Sequence, residues 1–493
     1  MPSASNIDEA LVRSVVEEVV RSFVRGAPAP AGAVPAAASS GAAPAIVASG
    51  RRPGVFADAP AACAAAQAAQ LQLSAKGVAA RAKVVEIVKT LCDQNAAEWG
   101  RFEFSETKIG RLDHKIEKLQ IVKLVPGVEW LHPDARSGDH GITLEEYTPF
   151  GVIAAILPMT HSIPTLAGNV INMVAAGNAV VFNPHPGGAR SAALAVAAFN
   201  EAIRAALGIE NLVCTIEQPS LDSFAALCLA PEIRVLCVTG GPAVVAAAMK
   251  SGKRAICAGP GNPPVFVDGT GSLDKVARDI IQGAAYDNNL LCVGEKEVFV
   301  LESVADPFIA ALARAGARKL HDAPLARLTA AAFSTTTDAG GCSHPVLNRD
   351  LIGADAAVLA RHAGIDVPAN TVLLFAETGA DHPFVVEEQM MPVIPIVRVK
   401  TVGEGVAAAV RAEHGYKHSA IIHSLNVDHM TLMARALDTT LFVKNGPSMA
   451  GLGLGGEGYL SYSIATTTGE GITNPKTFTR TRRCVMVDNL RIY

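Results

Sequence analysis

The chain has 493 residues, half of them hydrophobic and 18% charged, with a formal net charge of -4. That length suits two or three domains with large cores and argues against global disorder. Balanced, interspersed charge argues against a nucleic-acid or basic membrane partner, and nine cysteines without CxxC or metal spacing read as free thiols in a reducing cytoplasm.

The first residues, Met1-Pro2-Ser3-Ala4, lack a basic region, and no apolar run reaches membrane-span length, so neither a secretory leader nor a membrane segment is expected. Residues 6–25 read as an amphipathic helix within a segment 1–26. Asn6 suits the cap, Glu9 completes a capping-box spacing, and Gly26 followed by Pro28 ends it. Leu11, Val15, Val19 and Phe23 lie on its apolar face, and charges of both signs cover the other. Residues 27–50 contain only Ala, Pro, Gly, Ser, Val and Ile, the composition of a flexible linker. Such a tethered helix either packs on its own domain or docks on another protein.

An Ala-rich helical pattern covers 57–99, and a β-like pattern with turn signals covers 121–148. Strands are predicted at 151–157, 179–182, 212–216 and 235–238. Helices are predicted up to about Ala176, over 189–206 and near 221–229. This alternation predicts an α/β domain with a largely parallel sheet, which binds ligands beyond the carboxyl ends of its strands. Thr239-Gly240-Gly241-Pro242 follows one such end and opens a helix at about 243–250, where backbone amides can meet an anion. Gly451-Leu452-Gly453-Leu454-Gly455-Gly456 satisfies G-x-G-x-x-G but follows no buried strand, so it reads as a loop. A second β/α series fills 257–447, with strands at 265–267, 297–302, 371–375, 393–399 and 441–443. The strand-like tail 484–487 needs a partner edge.

Cys292 stands out within this second series. A helix with Val276, Ile280, Ile281 and Ala284 on one side precedes it, with Ser272 as the expected cap and Asp274 in the first turn. The apolar strand Glu297-Val298-Phe299-Val300-Leu301 follows it. A thiol presented from such a turn can meet a substrate. On residue type alone, Cys292 reads equally as a small buried hydrophobe.

Residues 51–493 resemble the aldehyde dehydrogenase superfamily, and within it the CoA-acylating propionaldehyde dehydrogenases of bacterial microcompartments. The carrying stretches include Phe150-Gly151-Val152-Ile153, Pro184-His185-Pro186-Gly187, Thr239-Gly240-Gly241-Pro242, Gly261-Asn262-Pro263-Pro264, Leu291-Cys292, Lys444-Asn445-Gly446-Pro447-Ser448 and Thr468-Gly469-Glu470-Gly471. The resemblance implies two α/β domains with parallel-rich sheets plus a β oligomerisation arm. The nucleotide-binding domain would be 51–256, interrupted by the arm at 126–148 and completed by about 448–475. The catalytic domain would be 257–447, and 476–493 would complete the arm of a homodimer or homotetramer.

The same resemblance implies that Cys292 attacks an aldehyde to give a thiohemiacetal, that hydride passes to NAD, and that a thioacyl-enzyme remains. The backbone N–H of Cys292 and the hydroxyl of Thr160 would hold the oxyanion. Pro158, Asn183, His185, Thr239, Gly240 and Gly241 would contact the cofactor, and Glu388 would hold its nicotinamide ribose. NAD is expected over NADP, although no ribose-selecting acid is evident. Ala258 stands where hydrolysing relatives carry a general-base Glu, so the thioester would pass to the thiol of coenzyme A. Glu295 or Glu297 filling in as the base is the alternative. His161 occupies a position where close relatives carry Asn, which bears on which short-chain aldehyde is taken. The helix 6–25 resembles an encapsulation peptide, implying a shell-protein partner and a place inside a microcompartment. The competing functions are CoA-independent oxidation to a free acid and a catalytically vestigial cargo protein.

Overall fold

The computed structural model describes residues 52–337 and 343–488. The predicted helix 6–25 and linker 27–50 lie outside the described residues.

Six parallel strands form the first sheet, in the spatial order Val55–Phe56, Val213–Ile216, Ala179–Pro184, Val152–Leu157, Ile233–Thr239, Arg254–Ala258. Every residue of Val152–Leu157 and Ala179–Pro184 is buried, which is why these strands read as unbroken apolar runs rather than alternations. Helix Ser162–Ala175 is buried along its whole length. The Ala-rich helix Ala59–Gln94 packs against it, with Asp58 accepting from the Ala61 N–H at its start. Small side chains let these two helices approach closely. The predicted single helix 57–99 is in fact broken twice, by a kink at Gly77, where φ is 74°, and at Asn95, with Ala96–Thr107 continuing.

The second sheet has seven parallel strands in the order Arg318–Lys319, Leu374–Glu377, Val393–Val399, Glu297–Leu301, Pro264–Val267, Ser419–His423, Leu441–Lys444. Three of these differ from the sequence reading. The strand expected at 371–375 begins at Leu374, and Arg318–Lys319 and Ser419–His423 were unrecognised. Arg318–Lys319 is too short to show a period, and Ser419–His423 holds polar ends inside a buried strand.

Asp134–Gly138, Gly141–Pro149 and Thr479–Val487 form a separate antiparallel sheet. The orphan tail thus finds its partner edge more than three hundred residues upstream. Its outer edge stays open, and Val485, Met486 and Val487 are exposed. Residues Met449, Leu452, Leu460, Tyr462, Ile464 and Ala465 enter the core of the first sheet, although they follow the second sheet in sequence.

Candidate active site

In the first sheet, the chain runs outward from Val152–Leu157 to one side and then returns to its other side at Ile233–Thr239. Ligands bind at the crevice where strand order reverses. A cavity of about 380 Å³ opens there, and its lining includes Pro158, Asn183, His185, Thr239, Gly240 and Gly241. Six residues from three separated strand ends therefore meet in one place. No acidic side chain lines it.

A Cβ added to Gly240 or Gly241 would meet nothing within 4 Å, so the turn borders open space. Gly241 precedes helix Pro242–Lys250, which aims its unpaired amides at that space. These features fit a dinucleotide. The polar side chains are already partly engaged. The Thr239 hydroxyl pairs with Ser463 at 2.8 Å. Asn183 accepts from Ser223 at 2.6 Å, and His185 accepts from the Gly187 N–H at 3.0 Å.

Cys292 lies at the amino end of the second sheet, in the turn before Glu297–Leu301, and is half-buried. The helix before it spans Leu273–Ala284. Ser272 occupies the cap position as expected, although its side chain makes no cap bond there, and Asp274 occupies the first turn and pairs with Arg314. Gly261 packs against the Cys292 carbonyl, and a Cβ there would come within 2.6 Å of that oxygen. The link between the two sheets thus runs directly under the thiol.

Desolvation pushes the Cys292 thiol up to about 12; the Glu388 carboxylate adds to the rise, and the Lys296 ammonium opposes it. Glu388 itself is raised to about 7 by burial, against Lys296 and the Gly261 amide. Lys296 donates to the backbone and side-chain oxygens of Asn289, at 2.8 and 2.5 Å. Thr160 is half-buried in the turn before helix Ser162–Ala175.

Ala258 is the last residue of its strand and is buried. Beside it, Thr468 accepts from the Cys257 N–H at 2.9 Å and donates to Glu470, which accounts for the Thr468-Gly469-Glu470 motif. Glu295 is fully buried and accepts from the Ser448 N–H and hydroxyl, both at 2.8 Å. Glu297 is fully buried, and burial raises its carboxyl well above the usual range.

Two histidines complete the picture. His161 is buried against Tyr462, with ring centroids 5.8 Å apart, and its Nδ1 has no partner. His418 was not recognised in the sequence. It is fully buried; its Nδ1 meets the Ser419 hydroxyl at 2.8 Å, and its Nε2 has no partner. Desolvation and Lys296 lower it to about 4, so it is neutral. A Cβ on Gly261 would touch both its ring and the Cys292 carbonyl. No local pattern marks His418, because only the parallel pairing of Ser419–His423 with Pro264–Val267 brings it there.

A thiol at 12 gives a testable pH dependence. Alkylation of Cys292 in the free enzyme is expected to rise about tenfold per pH unit between pH 7 and 9.5, because only the thiolate reacts. Glu388→Gln removes a negative neighbour and should speed alkylation severalfold at pH 8. A rate that levels off below pH 9 would contradict this electrostatic picture.

Two parallel sheets meeting at a cysteine turn, one carrying a switch-point cavity, form the architecture of a dinucleotide-linked dehydrogenase. The chain belongs to the aldehyde dehydrogenase family, whose model it matches over residues 53–458. It is 45% identical to the acetaldehyde dehydrogenase (acetylating) EutE of Salmonella typhimurium, over 89% of this chain and 93% of that protein. It is 42% identical to the propanal dehydrogenase (CoA-propanoylating) of the same organism, over 79% of this chain and 82% of that protein. The Rhodopseudomonas palustris propionaldehyde dehydrogenase with bound propionyl-CoA superposes with a TM-score of 0.85 at 44% identity, covering 89% of this chain and 96% of that one. A propionaldehyde dehydrogenase from the Clostridium phytofermentans fucose utilisation bacterial microcompartment gives 0.85 at 42%, covering 90% and 100%. Among the described residues, no cluster able to hold a metal is present, and no helix is long and apolar enough to cross a membrane.

Proposed function

We propose that the protein is an NAD-dependent CoA-acylating aldehyde dehydrogenase acting on a short-chain aldehyde. The observation that carries this reading is a presented thiol, Cys292, in a chain whose strand Arg254–Ala258 ends in a methyl group where the resemblance puts the base of hydrolysing relatives. Cys292 attacks the aldehyde carbonyl as its thiolate, its proton having left to bulk water, and Glu388 would hold the nicotinamide ribose. The Cys292 N–H and the Thr160 hydroxyl hold the oxyanion. Pro158, Asn183, His185, Thr239, Gly240 and Gly241 would hold NAD, which would supply the hydride acceptor. Cys292 is then a thioester. The CoA thiol, as its thiolate, then takes the acyl group, and Cys292 leaves as a thiolate. The chain's relatives that bind CoA or act on propanal support this substrate class. NADP remains compatible with a cavity that has no acidic lining.

The deciding assay follows NADH and acyl-CoA formation from a panel of short aldehydes. Stoichiometric acyl-CoA supports the reading, and free acid as sole product overturns it.

The open strand edge Thr479–Val487 supports assembly into a homodimer or homotetramer through the arm. Residues 6–25 are assigned to docking on a microcompartment shell protein. Their apolar face, buried at roughly 25 cal/mol per Å², would supply several kcal/mol before ordering costs. Deleting residues 1–50 is expected to leave kcat and KM within about twofold, since the described body already contains the whole site. It should abolish co-purification with shells, and Leu11→Glu should do the same. Loss of activity on deletion would make the segment part of the enzyme body instead.

A further inference from the structure

Next to the thiol turn is a buried cluster of four charges that the reaction as written does not use. Lys115 and Lys118 project from helix Leu112–Gln120, Glu103 from Ala96–Thr107, and Asp287 from the turn before Cys292. Each side chain is at most 2% exposed. Lys115 Nζ lies 3.3 Å from Glu103 and 3.7 Å from Asp287, and it also donates to the backbone carbonyl of Thr160. Lys118 pairs with Asp287. The other oxygen of Glu103 accepts from the Ile163 N–H at 2.8 Å, at the start of the helix after Thr160. The other oxygen of Asp287 accepts from the Arg111 N–H at 2.8 Å, and the Asp287 N–H donates to His114 at 2.8 Å.

Two cations thus face two carboxylates, and the cluster is neutral overall. Burial works against the Asp287 charge, but Lys118 and Lys115 outweigh it and hold the carboxyl down at about 2. Apolar residues would fill such a space at no loss of stability, so stability alone does not explain the cluster.

The backbone supplies a reason. Asp287, Asn288 and Asn289 have φ of 48°, 55° and 64°, three consecutive left-handed residues leading into Leu290, Leu291 and Cys292. Such a run persists only where its surroundings over-determine it. Asp287 is held by the cluster, Asn288 donates to Gly353 and Asp355, and Asn289 is held by Glu295 and Lys296. One ammonium group, that of Lys115, touches both this turn and the Thr160 loop.

We propose that Lys115 is a positioning residue that sets the distance between the Cys292 turn and the Thr160 loop, with Glu103, Lys118 and Asp287 holding it in place. It aligns the nucleophile with the second oxyanion donor and touches neither reacting atom. This rests on the roles given above to Cys292 and Thr160.

The test replaces one cation and one anion together, Glu103→Gln with Lys115→Met, in the full-length enzyme. The Lys118–Asp287 pair then stays balanced, so no unpaired charge is buried. The variant is expected to bind NAD with an unchanged dissociation constant and to keep KM for aldehyde and CoA within about twofold. Its pre-steady-state NADH burst should slow by about tenfold or more, as misplaced reacting groups demand. A folded variant with a burst rate within twofold of the unmodified enzyme overturns the proposal. If that variant does not fold, Glu103→Gln with Lys115→Gln is judged by the same readout, and failure of both to fold assigns the cluster to folding alone and overturns it too. Iodoacetamide labelling of Cys292 separates the underlying reading. Activity surviving full labelling removes the thiol assignment itself, whereas a dead labelled enzyme beside an unaffected double variant overturns only the positioning role.

Discussion

Cys292→Ala is expected to lower aldehyde oxidation by about four orders of magnitude or more, because without the thiol no covalent intermediate forms and only binding and oxyanion donors remain. NAD affinity should stay nearly unchanged. The cavity at the carboxyl ends of the first sheet is lined by residues 156–159, 183–186, 219–221, 224, 239–241 and 244, none of them in the thiol turn. The remaining described cysteines are poor substitutes. Cys63, Cys92, Cys214, Cys228, Cys237 and Cys257 are buried, and desolvation raises each of their thiols. Cys484 is exposed on the outer arm strand, away from both sheets. NADH formation and nucleotide fluorescence titration on the same preparation make the comparison. Normal turnover by Cys292→Ala, with another cysteine variant inactive, would reassign the nucleophile.

Omitting coenzyme A is the second large effect. One enzyme equivalent of NADH should appear in a burst, followed by a steady rate about 100-fold or more below that with CoA, since a positioned base contributes 10²–10⁴. The argument is spatial. Strand Arg254–Ala258 ends in a buried methyl group. Of the carboxylates close in sequence to the thiol, Glu295 is locked to Ser448, and Glu297 is sealed in the interior, where burial raises its carboxyl well above the usual range. That leaves Glu388, whose carboxylate is close enough to raise the Cys292 thiol and which we assign to the nicotinamide ribose. Equal steady-state rates with and without CoA, yielding free acid, would show that Glu388 or another group activates water after all.

The alternating β/α pattern and the turn that presents Cys292 were legible because each is a local property, whereas the expectation of a missing base at Ala258 came only through the family resemblance. Runs such as Val152–Leu157 are buried on both faces and carry no polar interruption. The Gly451–Gly456 stretch likewise declared itself a loop by lacking a preceding buried strand, and a 3-10 turn, Ser448–Leu452, is found there. The helix pattern before Cys292 and its cap position at Ser272 were legible too, although the Ser272 side chain makes no cap bond.

Tertiary structure alone decided which distant residues meet. The switch in strand order gathers Pro158, His185 and Gly240 into one cavity. Parallel pairing brings His418 beside Gly261 and the Cys292 carbonyl. Nothing in the local sequence marks Lys115 and Lys118, yet both are almost wholly buried, because their partners Glu103 and Asp287 arrive from other elements. Hydrophobic periodicity reports which face of an element is dry, since that depends on neighbours three or four residues away. It is silent on buried charge, because the cost of desolvating an ion is offset only by a counter-ion whose position the fold, and not the local sequence, determines.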